Sequence, residues 1–101
     1  MQDMISLFRQ AQVMKEKMSK FKDEMEHQFF TSSAGNGTVT VTINGKHEIQ
    51  KVVIDPKALS DGDKLQEYLK TAINQAGDEV NKKLKEEVNK MTGGLGIPGL
   101  F

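Results

Sequence analysis

Cysteine and tryptophan are absent from this sequence of 101 residues, which also has a single tyrosine and only two prolines. Without cysteine the chain forms no disulfide and no thiolate metal site, and it has no thiol nucleophile. No apolar run approaches the roughly 18 to 20 residues that span a bilayer, and the first ten residues lack the apolar core of a signal peptide. We therefore expect a cytoplasmic protein of one domain that has no membrane partner.

Neither sign of charge is in excess, because 14 Lys and Arg balance 14 Asp and Glu. A zero net charge excludes a strongly basic nucleic-acid coat protein and an acidic tail protein. The charges are unevenly distributed, however, since residues 9–22 carry five basic side chains against Glu16 alone, and residues 23–27 carry three acidic and no basic ones. The basic residues of this stretch are Arg9, Lys15, Lys17, Lys20 and Lys22. A local basic face is therefore compatible with a neutral chain.

Apolar residues recur at spacings of three and four in two segments, which predicts two long helices. The first segment has the a/d pattern of a helix seam. The residues of this seam are Met4, Leu7, Ala11, Met14, Met18, Phe21 and Met25. The second segment runs from Leu65 to Met91 at helical spacing, and Gly93-Gly94 is expected to end its helix.

The middle of the chain changes to a period of two, which predicts strands. Val39, Val41 and Ile43 alternate with threonines, after a strand-compatible segment over 28–33 and a turn over 34–37. Asn44-Gly45 predicts a hairpin turn, and residues 47–55 are expected to form the return strand. The predicted fold class is α+β, in the order α-β-β-β-α, with a small antiparallel three-stranded sheet and two long helices. Residues 1–92 are expected to form the single domain, and residues 93–101 a flexible, Gly-rich apolar tail.

The predicted helices are much longer than the predicted strands. Helices of about 24 and 29 residues are roughly 36 and 43 Å long, whereas a strand of about seven residues covers roughly 23 Å. Both helices should therefore overhang the sheet with their apolar seams uncovered. A second copy would cover the overhang and pair an exposed strand edge, so we expect a homodimer.

The sequence gives no support for catalysis. A nucleophile needs a base beside it, and His27 and His47 stand in no motif with a serine or an acid. The Asp61-x-Asp63 pair does not continue as a calcium loop and is interpreted as helix capping. We expect a protein that is not an enzyme, with no catalytic residue, no cofactor, no metal and no small-molecule substrate.

Helix residues of opposite charge that are four positions apart form ion pairs on ordinary solvated faces. Cations without such a partner are considered separately. The predicted pairs include Lys22 with Glu26, and four basic residues remain unpaired: Arg9, Lys15, Lys17 and Lys85. Cations spaced along a helix contact the repeating phosphates of a duplex without reading bases. Two alternatives remain, a basic face that serves only solubility and a protein–protein interaction module whose overhanging Met-rich helices grip a partner.

Four segments together resemble the YbaB/EbfC family of small bacterial nucleoid-associated proteins. They are AQVMKEKMSKFKDEM at 11–25, GNGTVTVTING at 35–45, VVIDPKALSDGDKL at 52–65 and LKTAINQA at 69–76. The resemblance covers nearly the whole chain, in order. It implies an α-β-β-β-α homodimer whose long helices project like tweezers and which binds double-stranded DNA in the nucleoid, without catalytic activity.

The resemblance also implies a role in nucleoid organisation or gene regulation, and it indicates which side chains face DNA. These candidates are the basic residues of the two long helices: Arg9, Lys15, Lys17, Lys20, Lys22, Lys82, Lys83 and Lys85. Asn74, within the stretch Ala72 to Ala76, is interpreted as a structural residue that ties the last helix to the sheet.

Overall fold

A computed structural model describes the backbone of residues 2–91 and the side chains of residues 3–91. The chain forms, in order, α1 (Gln2–Glu26), β1 (Phe29–Ala34), β2 (Val39–Asn44), β3 (Ile49–Ile54), a short 3-10 helix (Pro56–Ser60) and α2 (Gly62–Met91). This order confirms the predicted α-β-β-β-α fold. The tail predicted over 93–101 lies outside the described residues.

The sheet has the order β1-β2-β3, and both neighbouring pairs are antiparallel. On the central strand Val39, Val41 and Ile43 are buried, so the alternation of the sequence correctly predicted the face toward the core. The opposite face carries hydroxyl groups that pair across β1 and β2, and the two pairs are Thr31 with Thr42 at 3.0 Å and Ser33 with Thr40 at 2.9 Å. Across β1 and β2, one face of the sheet therefore packs in the core and the other carries paired hydroxyl groups.

Helix α2 packs across β1 and β2 through small residues. Ala72, Ala76 and Val80 are fully buried, and short side chains allow the helix backbone to lie close to the sheet. Nearer its start, α2 places the ring of Tyr68 over the turn between β1 and β2, where a Cβ on Gly35 would come within 2.7 Å of a ring carbon. The core is thus formed by the middle of α2, the strands beneath it and the end of α1.

Helix α1 is buried only near its end. Phe21 and Met25 are buried, and the backbone N–H of Gly45 donates to the Met25 carbonyl at 2.8 Å. The side chains of residues 3–17, which we term the arm, are all exposed. The protein is accordingly elongated, with dimensions of 70 × 22 × 16 Å.

The predicted hairpin between β2 and β3 is present, and its loop is longer than the two residues common for Asn-Gly turns. The strands end at Asn44 and resume at Ile49, and the positive φ of 62° falls on His47. The reason is the buried Asn44 side chain, whose Oδ1 accepts the backbone N–H of Lys46 at 2.9 Å and of Glu48 at 3.0 Å. These bonds organise a longer loop. Gly45 is needed for the close approach of Met25.

We predict opposite effects on stability for two glycine substitutions. In Gly45→Ala the new Cβ would lie 2.6 Å from the Met25 Cβ and still closer to the Met25 carbonyl oxygen, so the free energy of unfolding should fall by about 2 kcal/mol. In Gly77→Ala the nearest atom is the His47 Cδ2 at 3.7 Å, and the helix should gain about 0.5–1 kcal/mol. Thermal denaturation followed by circular dichroism measures both, and a Gly45→Ala variant as stable as the parent would contradict the packing described.

Candidate nucleic-acid interface

The basic side chains of α1 are presented to solvent along the helix. All five predicted candidates on this helix are exposed: Arg9, Lys15, Lys17, Lys20 and Lys22. None of them forms an ion pair with a carboxylate in the described part of the chain. Because these cations are neither neutralised nor desolvated, their full charge is available to an external anion.

The α1 cations fall on two sides of the helix. At 3.6 residues per turn, Arg9, Lys17 and Lys20 lie within about 80° of one another, whereas Lys15 and Lys22 lie within about 20° of each other on the opposite flank of the apolar seam. Arg9 and Lys20 are separated by about 16 Å along the axis. Helix α1 therefore carries two short basic rows instead of a single stripe.

Two of these cations also border a groove at the point where the described part of α2 ends. Its apolar lining consists of Val13 and Met14, which we term the floor, together with Met91 of α2. This feature, which we term the arm groove, has a volume of about 370 Å³, and its lining residues are Ser6, Arg9, Gln10, Val13, Met14, Lys17 and Met91. Apolar surface and positive charge are thus adjacent on the arm.

The candidates on α2 have different surroundings. Lys82 and Lys85 are exposed, while Lys83 is half-buried and its Nζ lies 3.2 Å from the Glu87 Oε1. Lys82 and Lys83 line a shallow groove that also contains the carboxylates of Glu79 and Glu86. The positive charge of Lys82 and Lys83 is therefore offset by nearby carboxylates, and Lys83 already forms an ion pair with Glu87.

Fewer of the predicted helix ion pairs form than the spacing suggests. Glu26, which the i,i+4 rule assigns to Lys22, lies 3.3 Å from the Nζ of Lys46 on the turn between β2 and β3. Lys20, Lys22 and Lys82 accordingly have no ion-pair partner among residues 3–91. More cations lack an ion-pair partner than the sequence predicted. Lys46 was not predicted as the partner of Glu26, because no local helix spacing links the two residues.

The acidity of the Glu87 carboxyl is set by two neighbouring lysines. The hydrogen bond from Lys83 lowers the pKa of Glu87 below its ordinary value, partial burial opposes this change, and Lys90, with its Nζ at 3.4 Å, lowers the pKa further. Since the ionised carboxylate is favoured in the folded chain, Glu87 remains charged near neutral pH and retains both lysines.

Other predicted features can be placed within the described residues. His27 and His47 are exposed, and residues 3–91 contain no group of three or more potential metal ligands. Asn74 is exposed on α2, so the prediction that it ties this helix to the sheet of its own chain was wrong, because the buried positions around it are taken by Ala72 and Ala76. Neither described helix has the length and apolar character to cross a membrane.

The fold and the exposed cations define a small, elongated α+β protein with a basic helical arm. Comparison with known proteins identifies the family. The sequence model of the YbaB/EbfC DNA-binding family matches residues 1–95. The chain belongs to this family, as its sequence motifs indicated.

Individual relatives match over nearly the whole chain. A nucleoid-associated protein of Clostridium novyi is 41% identical over 98 residues, which cover 95% of this chain and 86% of the relative. A nucleoid-associated protein of Clostridium kluyveri is 36% identical over 101 residues, covering 98% and 89%. The crystal structure of an uncharacterized protein from Helicobacter pylori is similar with a TM-score of 0.79 and 29% identity, covering 85% of this chain and 92% of that one.

The lowered pKa of Glu87 gives a testable pH dependence. Its contribution to stability is fully present above the unfolded pKa and is lost as the pH falls through the lower folded pKa. Replacement of Lys83 by methionine should raise the pKa of Glu87 toward its ordinary value, since the largest cause of the shift is removed. NMR titration of the Glu87 carboxyl carbon measures this, with Lys82→Met as the matched control. Equal values in the parent and in Lys83→Met would refute the assignment.

Proposed function

We propose that this protein binds duplex DNA as a homodimer through the basic residues of its long helices, and that it acts in the cytoplasm on the nucleoid, in its organisation or in gene regulation. The observation that supports this most directly is the set of exposed α1 cations without an ion-pair partner in the described chain. Membership of a DNA-binding family supports the same partner, and the relatives from Clostridium are named nucleoid-associated proteins.

The binding mode that follows is contact with phosphates. A duplex carries about one negative charge per 1.7 Å of its axis, so cations spread over about 20 Å of helix α1 meet several phosphates whatever the base sequence. Such contacts fix the position of the protein on the duplex and carry no direct sequence information. The α1 residues supply most of the attraction in this proposal, with Lys82 and Lys85 adding to it and Lys83 contributing least because of Glu87.

The homodimer is supported by apolar surface that a single chain leaves uncovered. Helix α2 packs on β1 and β2, so the edge strand β3 exposes Val52 at 42% and Val53 at 48%. An edge strand with exposed valines on both faces favours pairing with a second copy. A two-fold symmetric dimer, in which the same surface of both copies meets, is the commonest oligomer. Dimerisation would also present two basic arms to one duplex.

A protein–protein interaction module remains the second candidate. The arm exposes large apolar side chains, among them Met4 at 70% and Phe8 at 72%. A patch of this kind at the end of a helix is typical of a surface that meets a protein partner. This function requires the apolar side chains, whereas DNA binding requires the cations.

Charge reversal on α1 tests the proposed DNA contacts. In the double variant Lys15→Glu and Lys17→Glu, the affinity for a duplex should fall at least tenfold at low salt, because two phosphate contacts per chain are replaced by repulsion. The slope of log K against log salt should fall by roughly one for each phosphate that is no longer neutralised. Fluorescence anisotropy with labelled duplex at several salt concentrations measures both quantities.

The matched control is Lys57→Glu with Lys70→Glu, which makes the same change in net charge at two exposed lysines outside the candidate set. The control should lose much less affinity than the α1 variant. Equal losses would show a non-specific effect of net charge, and an unchanged affinity in the α1 variant would remove Lys15 and Lys17 from the interface.

The proposed dimer predicts a difference between the two edges of the sheet. Val53→Lys places a charge on the exposed face of β3 and should shift the particle from twice the 11.3 kDa chain mass toward the single chain. Ser33→Lys makes the comparable change on β1 and should leave the mass unchanged. Light scattering at several concentrations measures the mass, and a Val53→Lys variant that remains dimeric would exclude pairing through β3.

A further inference from the structure

The apolar floor of the arm groove is only partly covered by the described part of the chain. Its floor consists of Val13, 48% exposed, and Met14, 36% exposed. On the sheet side of the groove the α1 seam is covered, since Phe21 is buried and Met18 half-buried. The only residue that α2 contributes to the described groove lining is Met91, the last described residue of that helix.

The segment that follows Met91 has the composition required to continue this cover. Residues 92–101 read TGGLGIPGLF, with four large apolar side chains and no charged one. Ten residues reach up to about 33 Å when extended, whereas Met14 and Ser6 are separated by about 12 Å along α1. The segment starts at the groove and is long enough to traverse it.

We propose that the apolar segment over residues 95–101 docks in the arm groove on α1 of its own chain. The floor residues Val13 and Met14 would receive its leucine, isoleucine and phenylalanine side chains. An extended segment also brings unpaired backbone N–H and C=O groups, which need polar partners. Ser6 and Gln10 line the same groove and offer a hydroxyl and an amide. The sequence alone predicted a flexible tail, and the position of Met91 changes that expectation.

The side chains of this segment add no negative charge to the arm. Arg9 and Lys17 border the groove, and the segment carries no carboxylate side chain that would neutralise them. The inference therefore does not depend on the proposed function, since it concerns apolar cover and can be tested without DNA. The other apolar side of the arm, lined by Ile5 and Phe8, remains open.

The absence of cysteine allows a direct test on the full chain. A nitroxide attached to Gly99→Cys broadens the NMR signals of nearby amides, and we expect strong broadening at Gln10, Val13 and Met14. Thr42 on the polar face of the sheet should be unaffected and serves as the internal reference. Uniform weak broadening, or none along α1, would overturn the proposal.

A mixed sample decides which chain is contacted. Isotope-labelled chains without nitroxide are unfolded and refolded together with nitroxide-bearing chains that lack the isotope. Docking within one chain predicts no arm broadening in this sample, whereas broadening of Val13 and Met14 would show that the segment occupies a second copy and would overturn the proposal.

A pair of variants in the spin-labelled chain completes the test. Val13→Ser removes apolar floor at a half-exposed site and should restore at least half of the lost signal intensity at Gln10. Gln12→Ser changes a side chain that does not line the arm groove and should restore none. Melting curves of both variants verify that they fold, and persistent broadening in a folded Val13→Ser chain would contradict docking on this floor.

Discussion

The structure depends on a mismatch between helices of 25 and 30 residues and strands of six. A strand of this length covers about 20 Å, so the sheet buries only part of each helix, where Ala72, Ala76 and Val80 permit a close approach. The remaining parts must extend beyond the sheet, and this extension produces the arm. The elongated shape is therefore a consequence of where apolar burial ends.

In the proposed function, the basic residues of α1 allow a neutral chain to bind a polyanionic partner. Acidic and basic residues are equal in number, but the tertiary structure pairs them unequally, since Glu87 engages two lysines of α2 and Glu26 engages Lys46. The basic side chains of α1 are left without such partners in the described region. In this proposal, the attraction of the α1 surface for phosphates depends on how charge is distributed between α1 and α2, and not on the net charge of the chain.

The same extension places apolar side chains next to the cations. On a compact domain these side chains would be buried in the core, whereas on the arm they are available to a second copy, to the segment after Met91 or to another protein. The edge of β3, exposed because α2 lies over β1 and β2, is a separate apolar surface. One chain thus has more apolar surface than its own elements cover, which is typical of a subunit.

The sequence by itself determined the order of the elements, the buried face of β2 and the basic stretch of α1, because periodicity and composition are local properties. It also identified the family through short segments in the correct order. Only the tertiary structure decided that Glu26 pairs with Lys46, that Asn44 organises a longer turn and that Met91 lines the same groove as Val13 and Met14. Those contacts join residues far apart in the chain or replace one local hydrogen-bond pattern by another, so their formation depends on how α1, the sheet and α2 pack together.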